Sequence, residues 1–214
     1  MYRNIMFDLD GTLTDSERAI TGSVRHALSL QGIEDQPVEK LRTFIGPSLY
    51  DSFVREYGMS EEDALRGVRD YRADYEAGRL YDVDVYPGIP GLIERLYDAG
   101  RCLVLVTSKP EMFSGKILEH IGLRKYFTYI SAPAPAVRDS NKSGLILVAA
   151  DVLGLKKEEC VMIGDTSYDI LGARDAGVAS IGVTYGFGSR ESLISAGADY
   201  IADDASELGK ILLG

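Results

Sequence analysis

Short runs of uninterrupted apolar residues recur along the chain, and between them the apolar positions fall into helical spacing. The runs are "RNIMFD" near the start, then "CLVLVTS", "YFTYISA", "CVMIGD", "ASIGVTY" and "ADYIAD". Their β-branched and aromatic content predicts about six strands. Because the runs are continuous and do not alternate, both faces of the sheet must be covered, which is the pattern of parallel strands between two helical layers. The predicted fold class is α/β, a doubly wound, Rossmann-like parallel sheet with right-handed crossovers.

Residues 16 to 84 interrupt this rhythm. "SERAITGSVRHALSLQG" and "SEEDALRGVRDYRADYEAG" read as amphipathic helices that open on serine and close on glycine, with "RTFIGPSLYDSF" between them and no strand-like run. The first strand ends near Asp8 and the next begins near Cys102. That interval is too long for one crossover and predicts an inserted all-helical subdomain over 16–84, with residues 1–15 and 85–214 forming the α/β core. Pro87, Gly88 and Pro90 mark the return to the core. Tyr71 and Tyr75, one helical turn apart, read as packing inside the insertion.

Composition narrows the setting. With 214 residues and 45% hydrophobic content, the chain has enough apolar residues for a well-buried core plus an insertion. Cys102 and Cys160 lie inside apolar runs and read as buried small hydrophobes, which suits a reducing compartment. No apolar run reaches the ~18 residues that span a bilayer, and no secretory leader pattern opens the chain. The expected location is cytoplasmic, away from membranes. A net charge of −10 disfavours nucleic acid as a partner.

Ligands of open α/β sheets bind beyond the carboxyl ends of the strands, so the residues just after each run carry the chemistry. The first run ends in Asp8, Asp10, Gly11 and Thr12; the next in Thr107, Ser108 and Lys109; "CVMIGD" leads into Asp165 and Asp169. Lys142, in "NKSGLI", opens the helix before that strand. Together Asp8, Asp10, Asp165 and Asp169 bring up to four carboxylates to one rim. Such a cluster either shifts its pKa values upward or holds a hard cation, for which Mg²⁺ is suited. The Thr107 hydroxyl, backbone N–H groups at the start of the helix after Ser108 and the Lys142 ammonium are donors facing that charge. Donors together with Mg²⁺ describe a phosphoryl site. Asp165 also stands where it could cap the following helix.

"FDLDGTLTDS", "VLVTSKP", Lys142 and "MIGDTSYDI" together resemble the four motifs of the haloacid dehalogenase superfamily, in the phosphatase branch that carries D-x-D-G-T. The insertion after the first motif resembles that family's helical cap of the first type. The resemblance implies that Asp8 is the nucleophile, forming an aspartyl-phosphate, and that Asp10 is the general acid and base. It implies that Gly11, Thr12, Thr107, Ser108, Lys109 and Lys142 surround the phosphoryl group. It further implies that Asp8, Asp10 (through its carbonyl) and Asp165 bind Mg²⁺, with Asp169 fixing its waters. Here "NKSG" replaces the family's frequent lysine-proline pair, so either Lys142 or Lys109 supplies the main phosphate-facing ammonium. "FIGPSL" resembles the substrate-facing loop of phosphoglycolate phosphatase-like members, which nominates Gly46 and Ser48, and more weakly Arg42 and Arg55.

The expected activity is Mg²⁺-dependent hydrolysis of a small phosphate monoester, phosphoglycolate-like or a nucleoside monophosphate, by a monomer or homodimer. A phosphosugar mutase of the same fold and a catalytically silent regulatory binding protein are the alternatives. A dehalogenase is disfavoured because it would ordinarily lack a second aspartate at the position of Asp10. A phosphonate hydrolase is disfavoured because the insertion offers only Lys40 for a Schiff base.

Overall fold

The computed structural model describes residues 2–133 and 141–214. It divides the chain into two compact units, Met1–Asp15 with Val85–Gly214, and Ser16–Asp84. The larger unit is built on a six-stranded, all-parallel sheet of β1 (Asn4–Phe7), β4 (Cys102–Val106), β5 (Tyr129–Ser131), β6 (Cys160–Gly164), β7 (Ala179–Val183) and β8 (Tyr200–Ala202). The order across the sheet is β5-β4-β1-β6-β7-β8. The first strand in sequence therefore lies near the middle, flanked in register by Cys102–Leu105 on one side and Cys160–Ile163 on the other. This is the doubly wound α/β fold that the six apolar runs predict.

Burial on both faces explains those runs. Met6, Val104, Val106, Cys160 and Met162 form one core face with Leu145, Ile146 and Ala149 of α7 (Lys142–Leu153) and with Ala173 and Ala176 of α8 (Ser167–Ala176). The alternate residues Ile5, Phe7, Leu103, Leu105, Val161 and Ile163 are also wholly buried. At roughly 1.5–3 kcal/mol per fully buried large aliphatic side chain, these two faces dominate the stabilisation of the sheet. The remaining helices of this unit are α5 (Ile89–Asp98), α6 (Glu111–His120), α9 (Arg190–Ala196) and α10 (Ala205–Leu213). Both cysteines are free thiols; Cys160 is buried and Cys102 half-buried.

The smaller unit is all-helical: α1 (Glu17–Ser29), α2 (Val38–Arg42), α3 (Leu49–Tyr57) and α4 (Glu61–Glu76). The short helices α2 and α3 add to the two that periodicity predicts. Ser60 caps α4 by accepting the Asp63 N–H at 3.2 Å. Tyr71 and Tyr75 stack at 5.3 Å inside this unit, and Phe44 meets Phe53 edge-on at 4.9 Å. Two-residue strands, β2 (Thr14–Asp15) and β3 (Asp84–Val85), flank the insertion and pair as a separate ribbon. Among the described residues no helix is long and apolar enough to cross a membrane.

Candidate active site

Asp8 leaves the sheet at the end of β1, its N–H donating to the Ile163 carbonyl at 2.9 Å. The chain then closes a tight turn in which the Leu9 carbonyl accepts from Leu13 and Thr14 at 2.9 and 3.0 Å. Gly11 sits in that turn with φ +81°, a conformation costly for any residue with a side chain, and a Cβ there would collide with the carboxylate of Asp165. Glycine at position 11 thus brings the D-x-D turn against the strand-end carboxylate from β6.

Lys142 opens α7, whose first turn is capped by Asn141 accepting the Gly144 N–H at 2.6 Å. Its ammonium, on a side chain only 2% exposed, lies 3.0 Å from Asp8 Oδ1 and 2.8 Å from Asp169 Oδ1, and donates to the Val106 carbonyl at 3.2 Å. Every direction of a three-donor group is therefore used.

The helix after β6 is capped by Thr166 and not by Asp165, which stands one residue earlier. The Thr166 N–H and hydroxyl donate to Asp169 Oδ2 at 3.1 and 2.8 Å, so the cap and its partner three residues on occupy each other. Because the helix starts one residue late, the Asp165 carboxylate is released from capping. It accepts instead from Thr12 Oγ1 at 3.3 Å and from the Phe187 N–H at 2.8 Å.

At the end of β4, Thr107 is anchored by its N–H to the Ser131 carbonyl at 3.1 Å. Its hydroxyl oxygen accepts the Lys109 N–H at 3.2 Å, which leaves the hydroxyl hydrogen to donate. Ser108 is half-buried beside it. The α6 helix starts only at Glu111 behind Pro110, which has no N–H, so the donors near Ser108 belong to the loop and not to a helix end. Lys109 pairs with Asp10, Nζ to Oδ1 at 3.1 Å.

The two lysines are therefore divided between the two aspartates of the first motif. Of the four carboxylates expected on one rim, three come together: oxygens of Asp8, Asp165 and Asp169 lie within 4.8 Å of one another. Asp10 is outside that group, its carboxylate paired with Lys109 from the neighbouring strand end. Gly46 and Ser48 belong to the helical unit, in the loop from α2 to α3, where Ser48 caps α3 by accepting the Asp51 N–H. Arg42 pairs there with Glu17 at 3.0 Å and Arg55 with Glu56 at 2.7 Å.

Electrostatics show what the cluster lacks. Burial pushes the Asp8 carboxyl up to about 7, against the pull of Lys142 and with the added repulsion of Asp169 and Asp10. Burial, with the charges of Asp169 and Asp8, holds Asp165 well above the usual carboxylate range despite the Phe187 N–H. Lys142 is desolvated too, yet the two aspartates outweigh that and strengthen its hold on the proton. With all three carboxylates ionised, the Lys142 ammonium would balance one of them and leave, among the described residues of the cluster, two negative charges, the charge of one divalent cation. A hard, oxygen-seeking cation such as Mg²⁺ fits this donor set.

Sequence reading overlooked the turn after β7. Tyr185, Gly186, Phe187 and Gly188 bring a backbone N–H to Asp165, and the Tyr185 hydroxyl donates to the Thr12 carbonyl at 3.1 Å. The available signal was the pair of glycines in "TYGFGS" directly after an apolar run, a spacing that often marks close backbone approach.

A family profile described as haloacid dehalogenase-like hydrolase matches residues 5–183, from the first strand through β7. The chain belongs to the haloacid dehalogenase-like hydrolases. Among its relatives in this family is a 5'-nucleotidase from Pseudomonas aeruginosa, 40% identical over 211 residues, 99% of this chain and 96% of that one. A protein named tyrosine-protein kinase PtkA from Mycobacterium tuberculosis is 35% identical over 187 residues, but that match spans only 62% of its length and 86% of this chain. A phosphoglycolate phosphatase from Vibrio parahaemolyticus is 32% identical over 218 residues, covering 97% of this chain and 95% of that protein. The crystal structure of a predicted phosphatase from Clostridium acetobutylicum superposes with a TM-score of 0.95 at 42% identity, covering 100% of this chain and 99% of that one.

Proposed function

We propose that this hydrolase is a Mg²⁺-dependent phosphomonoesterase that acts through an aspartyl-phosphate on Asp8. The observation that carries the proposal is the buried Asp8–Lys142–Asp169 chain beside Asp165, with Asp10 held apart on its own lysine.

Asp8, Asp165 and the Asp10 carbonyl would hold the cation, which when bound offsets the repulsion between an anionic nucleophile and an anionic ester. Lys142 keeps one Asp8 oxygen fixed, so the other faces the incoming phosphorus. Asp8 attacks, a P–O bond forms, and the bond to the leaving alcohol breaks. Asp10 supplies the proton that alcohol needs, then takes a proton from the water that cleaves the acyl phosphate and releases inorganic phosphate. Lys109 pairs with Asp10 at rest; arriving phosphoryl oxygens compete for that ammonium and release Asp10, which takes from solvent the proton it passes to the alcohol and returns one after the water step. The Thr107 hydroxyl and the loop N–H groups by Ser108, with Gly11 and Thr12 in the first turn, receive the remaining phosphoryl oxygens. Asp169 acts through Lys142, since both its oxygens are already engaged by Lys142 and Thr166.

The substrate class is a small phosphorylated metabolite, with nucleoside monophosphates and phosphoglycolate-like esters foremost. Relatives matched over nearly their whole length carry those two activities in their names. Gly46 and Ser48 are assigned to substrate selection on their resemblance to the phosphoglycolate phosphatase loop. The filled positions 8, 10, 142 and 165 argue against a silent binding protein.

Phosphate release from an aryl phosphate and from a panel of metabolites tests this. Asp8→Asn should lose at least ~10³-fold in kcat, and EDTA should suppress turnover reversibly. Robust hydrolysis by Asp8→Asn sinks the proposal. Transfer of phosphate to a sugar or a protein, without release to water, would favour mutase or kinase chemistry instead.

A further inference from the structure

Asp165 is held from two sides by loops that are remote in sequence. Its Oδ1 accepts from Thr12 Oγ1 at 3.3 Å, and its Oδ2 accepts from the Phe187 N–H at 2.8 Å. The loops are tied to each other, because the Tyr185 hydroxyl donates to the Thr12 carbonyl at 3.1 Å. Three hydrogen bonds thus close a ring through the ends of β1, β6 and β7. Tyr185 is itself fixed, its ring lying 4.8 Å from that of Tyr86 at 56°.

The approach is too close for side chains. A Cβ on Gly186 would lie 2.5 Å from Asp165 Oδ2, and one on Gly188 would collide with the Asp165 carbonyl. Among the described hydrogen bonds, the Phe187 N–H is the only backbone donor from another element that reaches the Asp165 carboxylate.

We infer that the Tyr185–Gly188 turn is a positioning element for divalent-metal binding: it fixes the Asp165 carboxylate for the cation, with Tyr185 locking the turn to the D-x-D-G-T loop. The inference rests on Asp165 being a metal ligand, as proposed above. No residue of the turn takes part in bond making. Its effect is on where the carboxylate is held, so the cost of disturbing it should fall on metal affinity.

The test is Mg²⁺ binding without substrate, read as the Mg²⁺ concentration that half-completes the thermal shift and checked by Mn²⁺ titration calorimetry, on wild type, Tyr185→Phe, Gly186→Ala and Asp165→Asn. Tyr185→Phe keeps the ring and removes one donor, so it remains informative if Gly186→Ala does not fold. Orienting groups around metal ligands are typically worth about 10- to 100-fold in affinity. Tyr185→Phe should raise the half-saturating Mg²⁺ about 10-fold, with saturating Mg²⁺ restoring phosphate release. A merely structural role would lower the melting temperature of the metal-free protein without moving that midpoint. Unchanged midpoints in both turn variants, with Asp165→Asn weakened, would overturn this inference alone. An unchanged midpoint in Asp165→Asn would overturn the metal assignment, and this inference with it.

Discussion

Gly172 of α8 and Lys142 of α7 touch where the two helices cross: a Cβ on Gly172 would lie 2.5 Å from the Cβ of Lys142 and 2.8 Å from its Cγ. The buried lysine thus reaches Asp8 across a helix surface that has no side chain at the point of contact. Gly172→Ala sets two effects against each other. Alanine is favoured over glycine inside a helix by about 1 kcal/mol. Overpacking a tight core contact costs about 1–3 kcal/mol, and here both partners are buried. The clash should prevail, lowering the urea midpoint and, by shifting Lys142, reducing kcat/KM by at least ~10-fold. A stabilised and fully active variant would show that the crossing relaxes freely.

Lys142→Met removes the one ammonium shared by Asp8 and Asp169. Phosphate release should fall by about 10²–10³-fold, the usual worth of a preorganised charge at a reacting group. Without metal, the variant should also lose ~3–5 kcal/mol at pH 8, as when one partner of a buried ion pair is deleted. The loss should shrink at pH 5, where Asp8 is protonated and needs no counter-charge. Urea melts at the two pH values check this, and a pH-independent loss would count against it.

Lys109→Met separates the two lysines. Its ammonium is paired with Asp10, so the variant should still form the aspartyl-phosphate and bind Mg²⁺ with an unchanged midpoint. The penalty should fall on proton transfer and phosphoryl binding, with kcat/KM lower by about 10- to 100-fold. A loss as deep as that of Lys142→Met would mean that the division of labour drawn from the two ion pairs is wrong.

How far this site could be read from the chain depends on which groups carry it. Strands buried on both faces write themselves as continuous apolar runs, so "NIMF", "CLVLV" and "CVMIG" were visible. Charged side chains just beyond them stood out for the same reason. Backbone groups leave no such mark: nothing in a phenylalanine announces that its N–H reaches Asp165, nor in Val106 that its carbonyl receives Lys142. Two-residue strands such as Thr14–Asp15 and Asp84–Val85 are too short to show a period. The cap at Thr166 instead of Asp165 turned on a one-residue boundary, the least determinate feature of any helix. The pairing of Asp10 with Lys109 joins residues about a hundred positions apart in sequence, which local pattern cannot reveal.

Protons and metal should compete at Asp8. In the metal-free protein burial raises its pKa from 3.8 to about 7. The native state therefore binds more protons than the unfolded chain between those values, and stability must fall as pH rises from about 4 to 7. The slope approaches about 1.4 kcal/mol per pH unit if this group alone titrates. A divalent cation needs the ionised carboxylate, so its affinity should weaken up to about tenfold for each unit that pH drops below 7. Thermal melts from pH 5 to 8 should show a stabilisation by Mg²⁺ that is large at pH 8 and nearly absent at pH 5. In EDTA the same protein should melt lower at pH 8 than at pH 5, and Asp8→Asn should flatten that slope. A Mg²⁺ stabilisation that stays constant across the range would rule out Asp8 as the carboxylate for which proton and cation compete.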